Sequence, residues 1–189
     1  MTIDEFLAWD SGDHSGRHWQ LVDGQPVAMA PASDNHGCIQ AELAALIRNH
    51  LLELGSPCRV GTEPGIIPRV GARDNWRIPD LGVTCTPPTG SIEMPGPVLL
   101  VGIISPNNHA ETRANIWSYT TLPSLQEILV VNVTRIEAEL LRRRDDGTWP
   151  EQPDAIGPGE AIALASIGFV VPLAALYRTT SLVVPASSA

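Results

Sequence analysis

Pro97-Val98-Leu99-Leu100-Val101-Gly102-Ile103-Ile104-Ser105 is an apolar run of strand length, stopped by Pro106. It does not alternate, so it predicts a central strand covered on both faces rather than a half-exposed one. Upstream of it, Arg77-Ile78-Pro79-Asp80 leads into Leu81-Gly82-Val83, a second extended piece with an acid at its start. Glycine at position 102 is out of place in such a run, since it costs roughly 0.5–1 kcal/mol against alanine inside a strand.

The surrounding sequence supplies the other elements. Residues 3–9 read as a short helix capped by Thr2, with Glu5 three residues on. Trp19-Gln20-Leu21-Val22 and Gln25-Pro26-Val27-Ala28-Met29 flank Asp23-Gly24, which predicts a hairpin. Ile39, Leu43, Leu46, Ile47 and Leu51 recur at helical spacing between Cys38 and Leu54, after candidate caps at Ser33-Asp34-Asn35 and before Gly55. The exposed face of this helix is expected to carry Gln40, Glu42, Arg48 and Asn49. Short extended pieces are expected over 58–62, 65–69 and 80–85, a helix over 110–121, and a buried strand over 128–133 paired with 135–142. A further single strand is expected over 163–171, and a helical turn over 173–177. The segment 180–189 lacks packing signals and reads as a loose tail.

Bulk composition sets limits. A chain of 189 residues with 43% hydrophobic and 17% charged content suits one folded domain, expected over residues 1–179. Sixteen glycines and 17 prolines imply many turns, as in a sheet-rich α/β or α+β protein. A net charge of -9 counts against strong non-specific binding to nucleic acid, which relies on neutralising phosphates. Cys38, Cys58 and Cys85 are odd in number and include no C-x-x-C pair, so neither a zinc site nor a disulfide framework is suggested. With no signal peptide or membrane-length apolar run, a reduced cytoplasm is the default expectation.

The order and spacing of several motifs together resemble the PD-(D/E)xK nuclease superfamily and, more narrowly, a large family of restriction endonucleases. The motifs are Leu21-Val22-Asp23-Gly24, Met29-Ala30-Pro31 followed by His36, Arg77 to Val83, Pro97 to Val101 with Ser105-Pro106, Tyr119 with Leu122-Pro123-Ser124, and Leu173 to Tyr177. The resemblance implies a restriction-endonuclease-like core, with a central mixed sheet flanked by helices and an N-terminal β-hairpin. It also implies a Mg²⁺-dependent endonuclease acting on DNA. Duplex cleavage takes two scissions and homodimers are the commonest oligomer, so a homodimer is expected. Hydrolysis of a phosphodiester calls for an activated water and a counter-charge. Two carboxylates would hold the ion, a hard cation that prefers oxygen ligands, with a lysine beside them.

This sequence departs from that pattern at three of four positions. The resemblance places a Glu before the Leu-Val-Asp-Gly run, where this chain has Gln20. It places a second Glu in the central strand, where this chain has Gly102. It places a Lys four residues before Tyr119, where this chain has Asn115. Asp80 is intact. Asp80 and Gln20 are then the expected metal ligands, with Glu111, Glu63 or Arg113 as candidate substitutes for what is missing. The implied activity is a DNA endonuclease with a degenerate active site. The alternative is a catalytically inactive homologue that binds or assembles.

Several residues have a plain reading beside the functional one. His36 could orient substrate or a carboxylate but reads first as a polar residue near a helix start, and His109 could reach the site but reads first as a solvated loop histidine. Arg142-Arg143-Arg144 before Asp145-Asp146-Gly147 reads as a hairpin end, Cys85 as a small buried apolar residue, and Trp76 as core packing.

Overall fold

The structure is a computed structural model. It describes residues 1–182 except Gly16, Asn107, Asn108 and the side chain of Glu111. The expectation for residues 183–189 lies outside the described residues, but Thr180 to Ser181 are held in place. Thr180 donates to the Tyr177 carbonyl, and the Ser181 N–H donates to Asn35 Oδ1.

Helix α1 (Ile3–Leu7) carries the Thr2–Glu5 capping box. Strands β1 (Trp19–Val22) and β2 (Gln25–Ala28) form the hairpin. Asp23 and Gly24 both take positive φ, 48° and 76°, as a tight two-residue turn requires. Helix α2 (Asp34–Glu53) follows, capped by Ser33. Then come β3 (Arg59–Thr62), β4 (Leu81–Thr84), β5 (Pro97–Ile104), α3 (His109–Tyr119), β6 (Glu127–Asn132), β7 (Ala138–Arg142) and β8 (Asp154–Ile156).

A six-stranded sheet runs in the order β3-β4-β5-β6-β7-β8. It is mixed. β5 and β6 are parallel, joined through α3, and every other neighbouring pair is antiparallel. The expectation for β5 holds in detail. Leu99, Val101 and Ile103 pack into one cluster with Ile39, Leu43, Ile47 and Leu51 of α2. Leu100 and Ile104 pack into a second cluster with Ile116 and Tyr119 of α3. Successive side chains point to opposite faces, and both faces are covered, so the run has no reason to alternate.

The hairpin joins the sheet through an irregular segment. Leu21 and Trp76 exchange two backbone hydrogen bonds, each 2.9 Å, and Ile66 and Arg77 exchange two more. Trp76 lies against Gly65, where an added Cβ would come within 1.8 Å of the indole ring. Leu21, Phe6 and Trp76 form a third small core.

Four expectations need correction. The single strand expected over 163–171 is a second hairpin, β9 (Ala161–Leu164) and β10 (Phe169–Pro172). A 3₁₀ turn over Ala165–Ile167 separates the two strands, and Gly168, at φ 63°, makes the reversal. Residues 65–69 make isolated bridges rather than a strand. Gln40 and Glu42 are half-buried instead of exposed: Gln40 donates to the Asp80 carbonyl, and Glu42 pairs with Arg178.

The fourth correction concerns cysteine. Cys58 and Cys85 form a disulfide. Arg59 pairs with Thr84 across the β3–β4 ladder, so the next residue outward on each strand faces the other. The count and spacing of cysteines could not show this, because the pairing depends on strand register. Cys85 is therefore a bonded, half-buried residue, and the cysteine argument for a reduced cytoplasm no longer stands. No helix among the described residues is long and apolar enough to cross a membrane.

Candidate active site

The register of four elements decides where the site lies. Gln20 is the second residue of β1, pointing inward and fully buried. Asp80 immediately precedes β4. Gly102 lies on the α3-facing side of β5, and Asn115 is on the buried face of α3. All four line one cavity of about 390 Å³, together with His18, His36, Glu63, Ile78, Thr112 and Tyr119. The positions that the sequence singled out from motif order alone are thus brought together.

Asp80 is the acid at the centre. Its Oδ1 is 2.7 Å from His36 Nε2, and its Oδ2 accepts the Ile103 N–H at 2.5 Å. Its backbone carbonyl accepts from Gln40 Nε2 and from the Glu63 N–H, each at 3.0 Å. Those bonds fix the strand entry, so the carboxylate is positioned by α2, β5 and the end of β3 at once.

Gln20 faces Asn115. Gln20 Oε1 accepts from the Ile78 N–H and from Asn115 Nδ2, both at 3.1 Å. An amide oxygen has two lone pairs, and both are taken. Because a backbone N–H can only donate, Gln20 must present its oxygen there, and Asn115 must present its NH₂. Asn115 Oδ1 is then left buried without a hydrogen-bond donor.

Gly102 offers no side chain. A Cβ built there would lie 3.0 Å from Thr112 Cγ2, so the Thr112 methyl crowds the path a side chain at 102 would follow. Glu63 reaches the cavity mouth with an uncommon positive φ of 48°, and its carboxylate pairs with His18 Nδ1 at 2.9 Å. Arg113 does not enter the cavity. It forms a bidentate pair with Glu139 at 2.5 and 2.7 Å, which holds its guanidinium pKa above the usual range. Glu111 lies on α3, but its side chain falls outside the described residues. His109 is exposed and borders a separate, smaller cavity. Arg142, Arg143 and Arg144 bond to their own surroundings: Glu127 and Ala163, Pro123 and Gly147, Thr148 and Trp149.

His36 stands near the helix start, as read from the sequence, but it is buried and touches Asp80. A usable signal was present. His36, Ile39, Leu43, Ile47 and Leu51 form the buried stripe of α2, so a histidine stands at the first position of an otherwise apolar face. A buried imidazole needs a polar partner, and Asp80 is that partner.

Mg²⁺ is a hard cation, held by one or two carboxylates together with water and substrate oxygens. The resemblance calls for three carboxylates and a lysine, and the four positions do not fit that set: they supply one carboxylate, with His36 on one oxygen and the Ile103 N–H on the other, and a Gln20 oxygen with no lone pair to spare. Glu63, which also lines the cavity, is paired with His18. Among the described residues no group of three or more His, Cys, Asp or Glu could hold a metal ion.

A mixed sheet covered by helices, entered by a hairpin, with an acid at a strand start beside the central strand, defines a restriction-endonuclease-like protein. Comparison with known proteins agrees. The family model described as "Putative restriction endonuclease" (Uma2) matches residues 3–174, and the chain belongs to that family. A protein of Synechocystis sp. described as uncharacterized is 33% identical over 152 residues, covering 79% of this chain and 77% of that protein. The crystal structure of a putative nuclease belonging to DUF820, from Anabaena variabilis, matches with a TM-score of 0.75. It covers 94% of this chain and 98% of its own at 16% identity, which supports the shared fold.

Proposed function

We propose that the chain is a DNA nuclease that hydrolyses phosphodiester bonds at the Asp80 cavity. One observation carries this reading: the family's site positions 20, 80, 102 and 115 line a single cavity into which an aspartate–histidine pair is set. A carboxylate and an imidazole in contact can move protons. Water attacks phosphorus as its proton passes to the pair. The P–O bond to the leaving sugar oxygen breaks, and that oxygen takes a proton back. Asp80 and His36 are the residues assigned to this step. No step is routed through Mg²⁺.

Incubation of the full chain with supercoiled plasmid, in EDTA and separately in Mg²⁺ or Mn²⁺, tests the proposal. Slow nicking that disappears in Asp80→Ala and in His36→Ala is the expected result. No nicking at high protein concentration, or equal nicking by Asp80→Ala, sinks it.

A second reading has its own support. The Thr112 methyl crowding Gly102, and the saturated Gln20 oxygen, suit a homologue that binds or assembles without cutting. Retention of DNA by the wild-type chain with no nicking would select that reading. For duplex cleavage we also propose a homodimer, since two strands must be cut. Sedimentation equilibrium at micromolar concentration checks it, and a monomer under all conditions rules it out.

A further inference from the structure

The resemblance assigns Glu, Asp, Glu and Lys to positions 20, 80, 102 and 115. Three carboxylates and one ammonium leave two negative charges, which is the charge a divalent cation neutralises. In this chain the same positions hold Gln20, Asp80, Gly102 and Asn115, with a single negative charge. That charge has partners inside the protein: His36 Nε2 at 2.7 Å on one oxygen and the Ile103 N–H at 2.5 Å on the other.

We infer that this chain has rebuilt the family's cation site as a metal-free polar cluster. In it His36 holds Asp80 where an ion would, and Gln20 with Asn115 forms one neutral amide pair. The inference deepens the nuclease reading by removing the cation from it, and it stands or falls on different measurements.

The pair matters as much as the missing carboxylate. Ile78 fixes the Gln20 oxygen as an acceptor, so position 115 is asked for a donor. An ammonium has three donors and no acceptor, so it would strand no oxygen. Asparagine meets the demand but strands its own oxygen, which is the Oδ1 found buried without a donor. The geometry at position 115 therefore suits a donor-only group facing a carboxylate. The two amides satisfy most of that geometry with no charge on either side. A change at either residue alone puts an unbalanced charge where Gln20 is fully buried and Asn115 nearly so. Changing both together restores the balance. Position 102 lines the cavity but is crowded at the first atom of a side chain. A side chain returning there meets Thr112 Cγ2 at 3.0 Å from its Cβ, so Thr112 has to give way as well.

Titration of the wild-type full chain with MnCl₂ and MgCl₂, by calorimetry and by thermal melting against an EDTA control, is the primary test. No saturable heat and an unchanged melting temperature are expected. Saturable Mn²⁺ binding that Asp80→Ala abolishes overturns the inference. A mutant cycle tests the pair. Gln20→Glu and Asn115→Lys should each lower the melting temperature, while the double variant recovers most of the loss. Simple additivity of the two losses overturns the pairing. Adding Gly102→Glu and Thr112→Ser to the double variant should then create Mn²⁺-dependent stabilisation, and failure to do so in a folded variant counts against the cation-site origin. These readouts are heat and melting. A chain that cuts no DNA yet binds Mn²⁺ fails this test, and one that binds no Mn²⁺ and cuts no DNA fails only the nuclease reading.

Discussion

Glu127 and Asp80 are both carboxylates at strand starts in this sheet, and their surroundings differ. Glu127 opens β6 and is 1% exposed. It accepts from Arg142 Nε at 2.8 Å, from the Ala165 N–H at 3.1 Å and from the Ser166 N–H at 2.9 Å. Its partners are the residue opposite it on β7 and the first turn of the 3₁₀ segment between β9 and β10. Asp80 stands before β4 with two partners and a cavity beside it. The difference lies less in the number of bonds than in what would replace them. Around Glu127 nothing can enter. Around Asp80 there is room for water or substrate. A carboxylate enclosed by fixed donors pins two parts of the fold together, whereas one with an open side is available for chemistry.

The largest effect that can test this contrast is Glu127→Ala. It leaves two backbone N–H groups without partners, and the half-exposed Arg142 adds little to the loss. The expected destabilisation is about 4 kcal/mol, read by urea unfolding. A loss below a third of that would mean Glu127 does not pin the fold.

Gly65→Ala comes next, at about 3 kcal/mol, the upper end for forcing atoms into a packed region. The added methyl must displace the Trp76 ring, and with it the backbone leading to Asp80. Intrinsic fluorescence should shift along with stability. An unshifted spectrum would show that the Trp76 wall and the cavity move independently.

Tyr177→Phe should cost about 2 kcal/mol. The hydroxyl accepts the Glu137 N–H and donates towards the carbonyls of Asn132 and Glu137, tying the final turn to the β6–β7 connection. Burial pushes the phenol pKa from 10.0 up to about 12, so the neutral form is favoured in the folded state. The folded protein thus holds this proton more tightly than the unfolded chain. That contribution is fully present below pH 10 and is lost as pH climbs to about 12. Stability measured across that window should fall more steeply in the wild type than in Tyr177→Phe, and parallel curves would refute the assignment.

Asp80→Ala should change stability least, by about 1 kcal/mol, because cavity water can serve the Ile103 N–H and His36. If it matches Glu127→Ala instead, Asp80 is a structural pin and the contrast between the two carboxylates collapses.

Much of the fold could be read from particular residues. Asp23-Gly24 specified a turn that few other dipeptides make. The α2 stripe and the unbroken β5 run each reflect a burial pattern that leaves a direct trace in residue type. The second hairpin was missed because Gly168 stands among apolar residues that read as one strand, so its role as the reversal was hidden. The disulfide was illegible because it depends on which residues of β3 and β4 face each other. The order of the motifs picked out four positions, and they line one cavity. The Asp80–His36 contact was not legible, since it joins a helix start to a distant strand start. Nor was the Gln20–Asn115 pair, whose hydrogen bonds depend on the direction of a single backbone N–H at Ile78.

The Cys58–Cys85 bond has a consequence for how the molecule can come apart. The segment it spans includes Glu63, Trp76, Arg77 and Asp80, and also the exposed basic residues Arg69 and Arg73. A trypsin cut after either arginine breaks the polypeptide but not the molecule, since the bridge still joins the two pieces. The nicked chain should migrate intact on a non-reducing gel and separate into two bands once a thiol is added. The wall of the cavity is therefore secured by a covalent ring as well as by packing.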